Sequence, residues 1–154
     1  MGTIRNGDME QLFPKRFDES GKRICRYCGG PLPKGRRWWC SDICVDEAKI
    51  RCWPHYAAEQ CFKRDNYTCR NCGLEDVLKW RYLKIERPAA STREDLKSKG
   101  YDVMRSLLEC HHIVTVKDGG GACGLDNLIT LCQFCHNATK RQSLEVLNAC
   151  INII

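Results

Sequence analysis

The stretch ECHHIVTVKDGGGACGLDNLITLCQFCHNATK, Glu109 to Lys140, holds three of the four histidines of a 154-residue chain. Two of them, His111 and His112, are adjacent, and the third, His136, directly follows a Cys-x-x-Cys pair. A small packed core has no use for this concentration of imidazoles and thiols, whereas metal sites use both as ligands. The stretch therefore predicts a metal centre.

Apolar residues and glycines around these histidines predict two strands followed by a helix. The first strand is expected at 110–113, the Gly-rich loop at 114–126 and the returning strand at 128–131. A helix is expected after Gln133. The predicted unit is a β-hairpin with a helix attached to its second strand.

The directions of the side chains in these elements separate the cysteine ligands from the histidines. Adjacent residues of a strand point to opposite faces, so His111 and His112 are expected to have different roles. Consecutive residues of a helix diverge by roughly 100° around the axis. Cys135 can therefore complete one metal site while His136 turns toward the strand that carries His111.

Cysteine spacing predicts two structural zinc sites. Pairs of thiolates two or three residues apart form tight knuckles, and two knuckles supply the four ligands of a tetrahedral zinc. The chain has 13 cysteines. The predicted sites are the finger group, which consists of Cys25, Cys28, Cys40 and Cys44, and the hairpin group, which consists of Cys69, Cys72, Cys132 and Cys135. The remaining five are expected to be small buried residues or inert thiols.

Composition narrows the compartment and the class of partner. No apolar run approaches the ~18 residues of a membrane span, and the first residues lack the apolar segment of a signal peptide. Paired cysteines without a secretory signal indicate an intracellular, reducing compartment, the cytoplasm or the nucleus, and no membrane partner. The net charge of +6, from 25 Lys and Arg against 19 Asp and Glu, permits a polyanionic partner.

The organisation expected along the chain has three parts. Residues 1–24 are expected to be a loosely ordered tail, 25–52 a four-cysteine zinc finger, and 53–154 a domain with the hairpin and the second zinc. Four further elements are expected, namely helices at 42–48, from Pro54 onward and at 101–109, and a strand at 79–86. The fold class is a small, zinc-stabilised α+β protein.

The order of these motifs resembles the ββα-metal motif of HNH endonucleases, in the group braced by two Cys-x-x-Cys knuckles. The matching segments are Cys69 and Cys72 ahead of the motif, then ECHHIV, GGG, LDNLITLC and CQFCHNATK. The finger and the linking helix upstream are similar to those of the nuclease module of zinc-finger annealing helicases. The resemblance covers about residues 25–142.

The resemblance implies a role for each residue of the motif. His111 and His136 correspond to ligands of a catalytic divalent metal, with Mg²⁺ expected first and Mn²⁺, Ni²⁺ or Zn²⁺ as alternatives. His112 corresponds to the general base. Asn127 corresponds to a residue that orients the base and its loop in some family members and touches the metal in others.

Basic side chains are expected to contact DNA in two regions. Lys117, Lys140 and Arg141 are near the predicted site, while Arg36 and Arg37 are in the finger beside Trp38 and Trp39. Each of the three near the site could equally be a solvated surface charge. The two tryptophans could stack on bases or form the small core of the finger.

The function implied is metal-dependent hydrolysis of DNA phosphodiester bonds to 5′-phosphate and 3′-hydroxyl ends, with the finger gripping a duplex or structured DNA. The chain is expected to act as a monomer, alone or within a larger protein or complex. One alternative is a non-catalytic zinc-finger module that binds DNA or serves as a scaffold. A nuclease acting on RNA is the other, because the same residues would serve it.

Overall fold

The computed structural model describes residues 9–76, 78–83, 90–98 and 105–141. Its elements are α1 (Met9–Leu12), β1 (Arg16–Phe17), β2 (Arg23–Ile24), α2 (Asp42–Cys52), α3 (Pro54–Arg64), α4 (Lys79–Leu83), α5 (Ala90–Ser98), β3 (Leu108–His112), β4 (Leu128–Cys132) and α6 (Gln133–Arg141). This is the small α+β architecture expected from the sequence. Within these ranges no helix is both long and apolar enough to cross a bilayer.

The antiparallel hairpin of β3 and β4 organises the core. Every residue of β4 is buried, because α3 covers one face of the hairpin and α6 the other. His111 pairs with Ile129 and His112 with Leu128, and residues opposite each other in such a ladder share a face. The hairpin predicted around the histidines is confirmed: β3 begins two residues earlier and ends one residue earlier than expected, and β4 ends one residue later.

The C-terminal end of α3 fastens this helix to β4. Arg64 donates hydrogen bonds to the carbonyl oxygens of Leu125 (2.6 Å) and Leu128 (2.8 Å), and buried Asp65 accepts one from the backbone N–H of Thr130 (3.0 Å). Burial alone would raise the pKa of Asp65, but hydrogen bonds from Arg64 and Thr130 outweigh it and hold that pKa below its usual value. The charged brace therefore fixes where β4 begins.

The helix that leaves the finger is longer than the sequence indicated. Ser41 caps α2 by accepting a hydrogen bond from the backbone N–H of Cys44 at 3.2 Å. The helix passes the predicted end at Ala48 because Ile50 and Cys52 are also buried. Trp53 alone then separates α2 from α3, which starts at Pro54 as expected.

The segment expected to be a loosely ordered tail contains structure from Met9 onward, while residues 1–8 lie outside the described residues. It forms α1 and a hairpin of β1 and β2. Buried Arg26 holds this segment by donating hydrogen bonds to the backbone carbonyl oxygens of Met9 and Phe13. Two-residue strands are too short to show an alternating apolar pattern, which explains why the sequence did not reveal them.

Two elements predicted between Cys72 and Cys132, the strand at 79–86 and the helix at 101–109, were wrong in the residues that the structure describes. Residues 79–83 form helix α4 instead of a strand, because Asp76 accepts a hydrogen bond from the Leu78 N–H at 2.8 Å and Lys79 pairs with Glu75 at 2.8 Å. In the predicted helix at 101–109, residues 101–104 lie outside the described part, and Leu108 and Glu109 belong to β3.

Candidate active site

The two cysteine groups have the geometry of tetrahedral zinc sites. In each group the four sulfur atoms lie within 4.8 Å of one another. Sulfur–sulfur distances are 3.5 Å for Cys28–Cys40, 3.4 Å for Cys40–Cys44 and 3.7 Å for Cys72–Cys132. A zinc with bonds of about 2.3 Å to four sulfurs would separate them by about 3.8 Å. The spacing fits zinc, and the described cysteines are all free of disulfides.

The first knuckle of each group has the same backbone geometry. The N–H of Gly29 donates to the carbonyl oxygen of Cys25 and the N–H of Gly73 to that of Cys69, both at 2.9 Å. Each glycine has a φ of +74°, which is unfavourable for other residues. Both Cys-x-x-Cys-Gly sequences therefore build the same turn, as two related metal sites require.

Three side chains converge where β3 meets α6. The rings of His111 and His136 lie with their centroids 5.0 Å apart at an angle of 73°. The Glu109 carboxylate contacts Nδ1 of His136, whose side chain is only 15% exposed. With a carboxylate against Nδ1, Nε2 is the ring nitrogen of His136 left to bind a metal.

Glu109 is the residue of this site that the sequence interpretation missed. It stands two positions before His111 in β3, so strand alternation puts both on the face that α6 covers. The same alternation that separates His111 from His112 could have found it. A carboxylate paired with a metal-binding histidine is a common supporting arrangement, because it fixes the tautomer and the orientation of the ring.

The histidine cluster differs from the two zinc groups in being open. Among the described residues, only the finger and hairpin groups bring three or more ligand atoms within 4.8 Å of one another. His111 and His136 thus form a partial ligand set. Catalytic metal centres keep positions open for water and substrate, whereas structural zinc sites are closed, and the donor set fits the catalytic kind.

Asn127 clamps the loop that follows His112. Its backbone carbonyl oxygen accepts from the N–H of Ile113 (2.9 Å), and its Oδ1 accepts from the N–H of Val114 (2.7 Å). Its Nδ2 donates to the carbonyl oxygens of Val114 (3.1 Å) and Gly120 (2.9 Å). Both amide hydrogens are used, so of the two roles expected for Asn127, these bonds favour orienting the loop.

Gly120 is the point of closest approach in this clamp. A Cβ atom there would lie 1.9 Å from the carbonyl oxygen of Val114 and 2.7 Å from Nδ2 of Asn127. We expect Gly120→Ala to lower the free energy of unfolding by about 1–3 kcal/mol and to reduce cleavage, measured by thermal melting and a plasmid assay.

The control for this prediction is the neighbouring Gly121→Ala. A Cβ at Gly121 would meet only Cγ1 of Val116, at 3.4 Å, so this variant should behave like the unchanged protein. Equal stability and activity of the two variants would contradict the role given to Gly120.

The basic residues predicted near the site are only partly described. Lys117 is exposed in a 3₁₀ turn, Val116–Asp118, of the loop that Asn127 clamps. Lys140 and Arg141 are in the last turn of α6, and their side chains lie outside the described part of the structure. A contact between Lys117 and DNA remains a prediction.

The finger arginines differ in their surroundings. Arg36 donates to a carboxylate oxygen of Asp42 at 2.8 Å, while the guanidinium of Arg37 lies 5.6 Å from the centre of the Trp38 ring. Trp39 packs edge-on against Phe13 with ring centroids 6.0 Å apart. Trp39 is therefore the tryptophan that contributes to packing, and Trp38 lies among charges.

Comparison with known proteins gives one family match, to the C-terminal part of the chain, and matches to relatives over most of its length. Residues 95–142 match the family model described as HNH endonuclease. The chain is 29% identical over 157 residues to the mouse protein "DNA annealing helicase and endonuclease ZRANB3", and 29% over 158 residues to the human one. These matches cover 86% of this chain but only 14% of the relatives' length. No solved structure matches the chain.

Proposed function

We propose, from the match of residues 95–142 to the HNH endonuclease family model, that this protein hydrolyses DNA phosphodiester bonds with a divalent metal. The observation that carries the proposal is the open pair of His111 in β3 and His136 in α6, whose ring centroids lie 5.0 Å apart. His112, the proposed base, follows His111 in the same strand. The mouse and human relatives are named as both DNA annealing helicases and endonucleases, which supports DNA as the substrate.

His112 is the general base in this proposal. An imidazole accepts a proton readily near neutral pH, and here it would take that proton from the attacking water. His112 is the last residue of β3, and the clamp made by Asn127 begins at the next residue, Ile113. Asn127 therefore limits the movement of the chain that carries the base, which keeps the base aligned with the phosphate.

His111 and His136 are the proposed ligands of the catalytic metal. A divalent cation bound there would stabilise the negative charge that develops on the phosphate and on the departing 3′ oxygen. The Glu109 carboxylate contacts Nδ1 of His136, so Nε2 would be the nitrogen that binds the metal. Mg²⁺ is the first choice, and Mn²⁺, Ni²⁺ and Zn²⁺ are alternatives that imidazole ligands accept.

The proposal extends to the products, which are those that the resemblance to HNH endonucleases implies, and to a monomeric assembly. Departure of the 3′ oxygen leaves 5′-phosphate and 3′-hydroxyl ends. A monomer has one such site, so it cuts one strand of a duplex at a time. The finger assists by gripping DNA, and the free thiols of the described cysteines suit a reducing compartment, the nucleus or the cytoplasm.

Two alternatives keep the same fold. A non-catalytic DNA-binding or scaffold module would not need His111, His112, Asn127 and His136 together, and all four are present. A nuclease acting on RNA would use the same residues. The DNA in the relatives' printed name favours DNA over RNA.

The test is cleavage of supercoiled plasmid by protein that retains two zincs but has lost its exchangeable metal. Adding Mg²⁺, Mn²⁺, Ni²⁺ or Zn²⁺ in turn should restore cutting with at least one ion, and nicked circles should precede linear DNA. DNA ligase should reseal the nicks, since it requires 5′-phosphate and 3′-hydroxyl ends. Binding without cleavage of plasmid, branched DNA or RNA under every metal would support the scaffold, and cleavage of RNA alone would reassign the substrate.

A further inference from the structure

Four cations surround the ring of Trp38 in the finger. The distances from the charged groups to the ring centre are 5.5 Å for Lys15, 4.8 Å for Arg23, 5.8 Å for Arg26 and 5.6 Å for Arg37. Arg26 is buried and holds backbone carbonyl oxygens, so its role is structural. The other three are exposed and constitute, with Trp38, what we call the Trp38 patch.

The patch is assembled from two separate segments. Lys15 precedes β1 and Arg23 begins β2, whereas Arg37 and Trp38 come from the loop between the two knuckles of the finger group. The backbone N–H of Arg26 donates to the carbonyl oxygen of Trp38 at 2.9 Å, which ties the loop to the chain just after β2. The N-terminal hairpin is therefore part of this surface.

Few carboxylates pair with the positive charges of the patch. Among the residues that the structure describes, no salt bridge joins Arg23 or Arg37 to a carboxylate. Lys15 lies 3.9 Å from Glu10, and both side chains are more than half exposed, so this pair is weak. Residues 9–40 contain eight Lys and Arg against three Asp and Glu. A zinc bound by four thiolates carries a net charge of about −2, which offsets only part of the positive excess of this segment.

Three like charges around one ring repel each other, and the ring partly offsets that repulsion. Each cation–π contact at an exposed site contributes about 0.5–1 kcal/mol. The face of Trp38 is thereby occupied by cations and is poorly placed to stack on a base. A surface of this kind suits a polyanion whose successive phosphates can each meet one cation.

We propose that Lys15, Arg23 and Arg37, held around Trp38, form a docking surface for the phosphate backbone of DNA. The inference rests on the proposed function and deepens it, because it names the surface with which the finger grips DNA. The surface contacts phosphates and no base edges, so the grip is independent of sequence. It includes Lys15 and Arg23, which precede the zinc finger predicted at residues 25–52.

The test measures binding separately from cleavage. The 154-residue chain with both zincs, and without added divalent metal, is titrated with a labelled duplex by fluorescence anisotropy at several salt concentrations. Each phosphate contact contributes about 0.9 to the slope of log K against log salt. The double variant Arg23→Ala/Arg37→Ala should lower that slope by about 2 and weaken binding by about one order of magnitude per cation at 0.1 M salt.

The matched control is Lys63→Ala, which removes an exposed cation that pairs with Glu59 on α3, at 2.7 Å. It should shift neither the affinity nor the slope appreciably. Two zincs per chain and an unchanged melting temperature establish that the double variant is folded. The loss should be equal for duplexes of unrelated sequence.

Several outcomes would overturn the inference. An unchanged slope in the double variant, an equal loss in the control, or a loss confined to one sequence would each do so. These results leave the nuclease proposal intact if metal-dependent cutting persists. DNA binding that depends on the Trp38 patch, with no cleavage under any metal, would instead support the docking surface and contradict the nuclease proposal.

Discussion

Replacing His112 by alanine should lower cleavage of supercoiled plasmid by about 10²–10⁴-fold, because a positioned general base contributes that much to proton transfer. The effect should fall on the turnover rate, while DNA affinity stays the same. His112 ends β3 and is only partly buried, so the variant should retain its fold and both zincs.

His55→Ala is the control for this experiment. His55 is exposed in the first turn of α3 and belongs to no site, so its removal should leave the rate unchanged. Equal activity of His112→Ala and the unchanged protein would exclude His112 as the base. Reduced DNA affinity in His112→Ala would instead assign it to substrate binding.

Replacing Cys132 by serine should lower the zinc content from two ions per chain to one and unfold the hairpin and α6. Cys132 is 1% exposed and joins β4 to α6. Structural zinc binds with about 10–16 kcal/mol of apparent free energy, whereas a typical domain is stable by only about 5–15 kcal/mol. Cleavage should vanish too, because His136 follows Cys135 in the same helical turn.

Cys123→Ser is the matched control, since Cys123 belongs to neither cysteine group and is only partly buried. Zinc analysis by mass spectrometry and thermal melting should show two ions and a nearly unchanged melting temperature. Two retained zincs in Cys132→Ser would contradict the assignment of the hairpin group. Equal zinc loss in both variants would mean that thiol removal in general disturbs the protein.

The metal-ligand pattern was the most predictable part of the molecule. Cysteine spacing correctly placed eight cysteines in two groups of neighbouring sulfur atoms, including residues as distant in sequence as Cys69 and Cys132, because each close pair forms a tight turn that presents two thiols together. The hairpin and α6 were predicted from the apolar residues and glycines around the histidines. The neighbouring side chains His111 and His112 had to separate across a strand.

Contacts between distant parts of the chain were not predictable in the same way. The bonds of Arg64 and Asp65 to the backbone of β4 and of Leu125 just before it join residues more than sixty positions apart. A lone Arg-Asp pair at a helix end suggests only the end of a helix. The helix at 79–83 was also missed, because its aromatic and aliphatic residues favour a strand while the local bonds of Asp76 and Lys79 decide for a helix.

The single-residue joint at Trp53 has a consequence for the position of the proposed cleavage. The finger is attached to α2 through Cys44, and the far end of α3 is bound to β4 by Arg64. With one residue between the helices, the finger and the histidine cluster have little freedom to move apart. If the finger binds DNA and the histidine cluster cleaves it as proposed, the two helices should hold the scissile bond at a constant offset from the bound phosphates, whatever the base sequence between them.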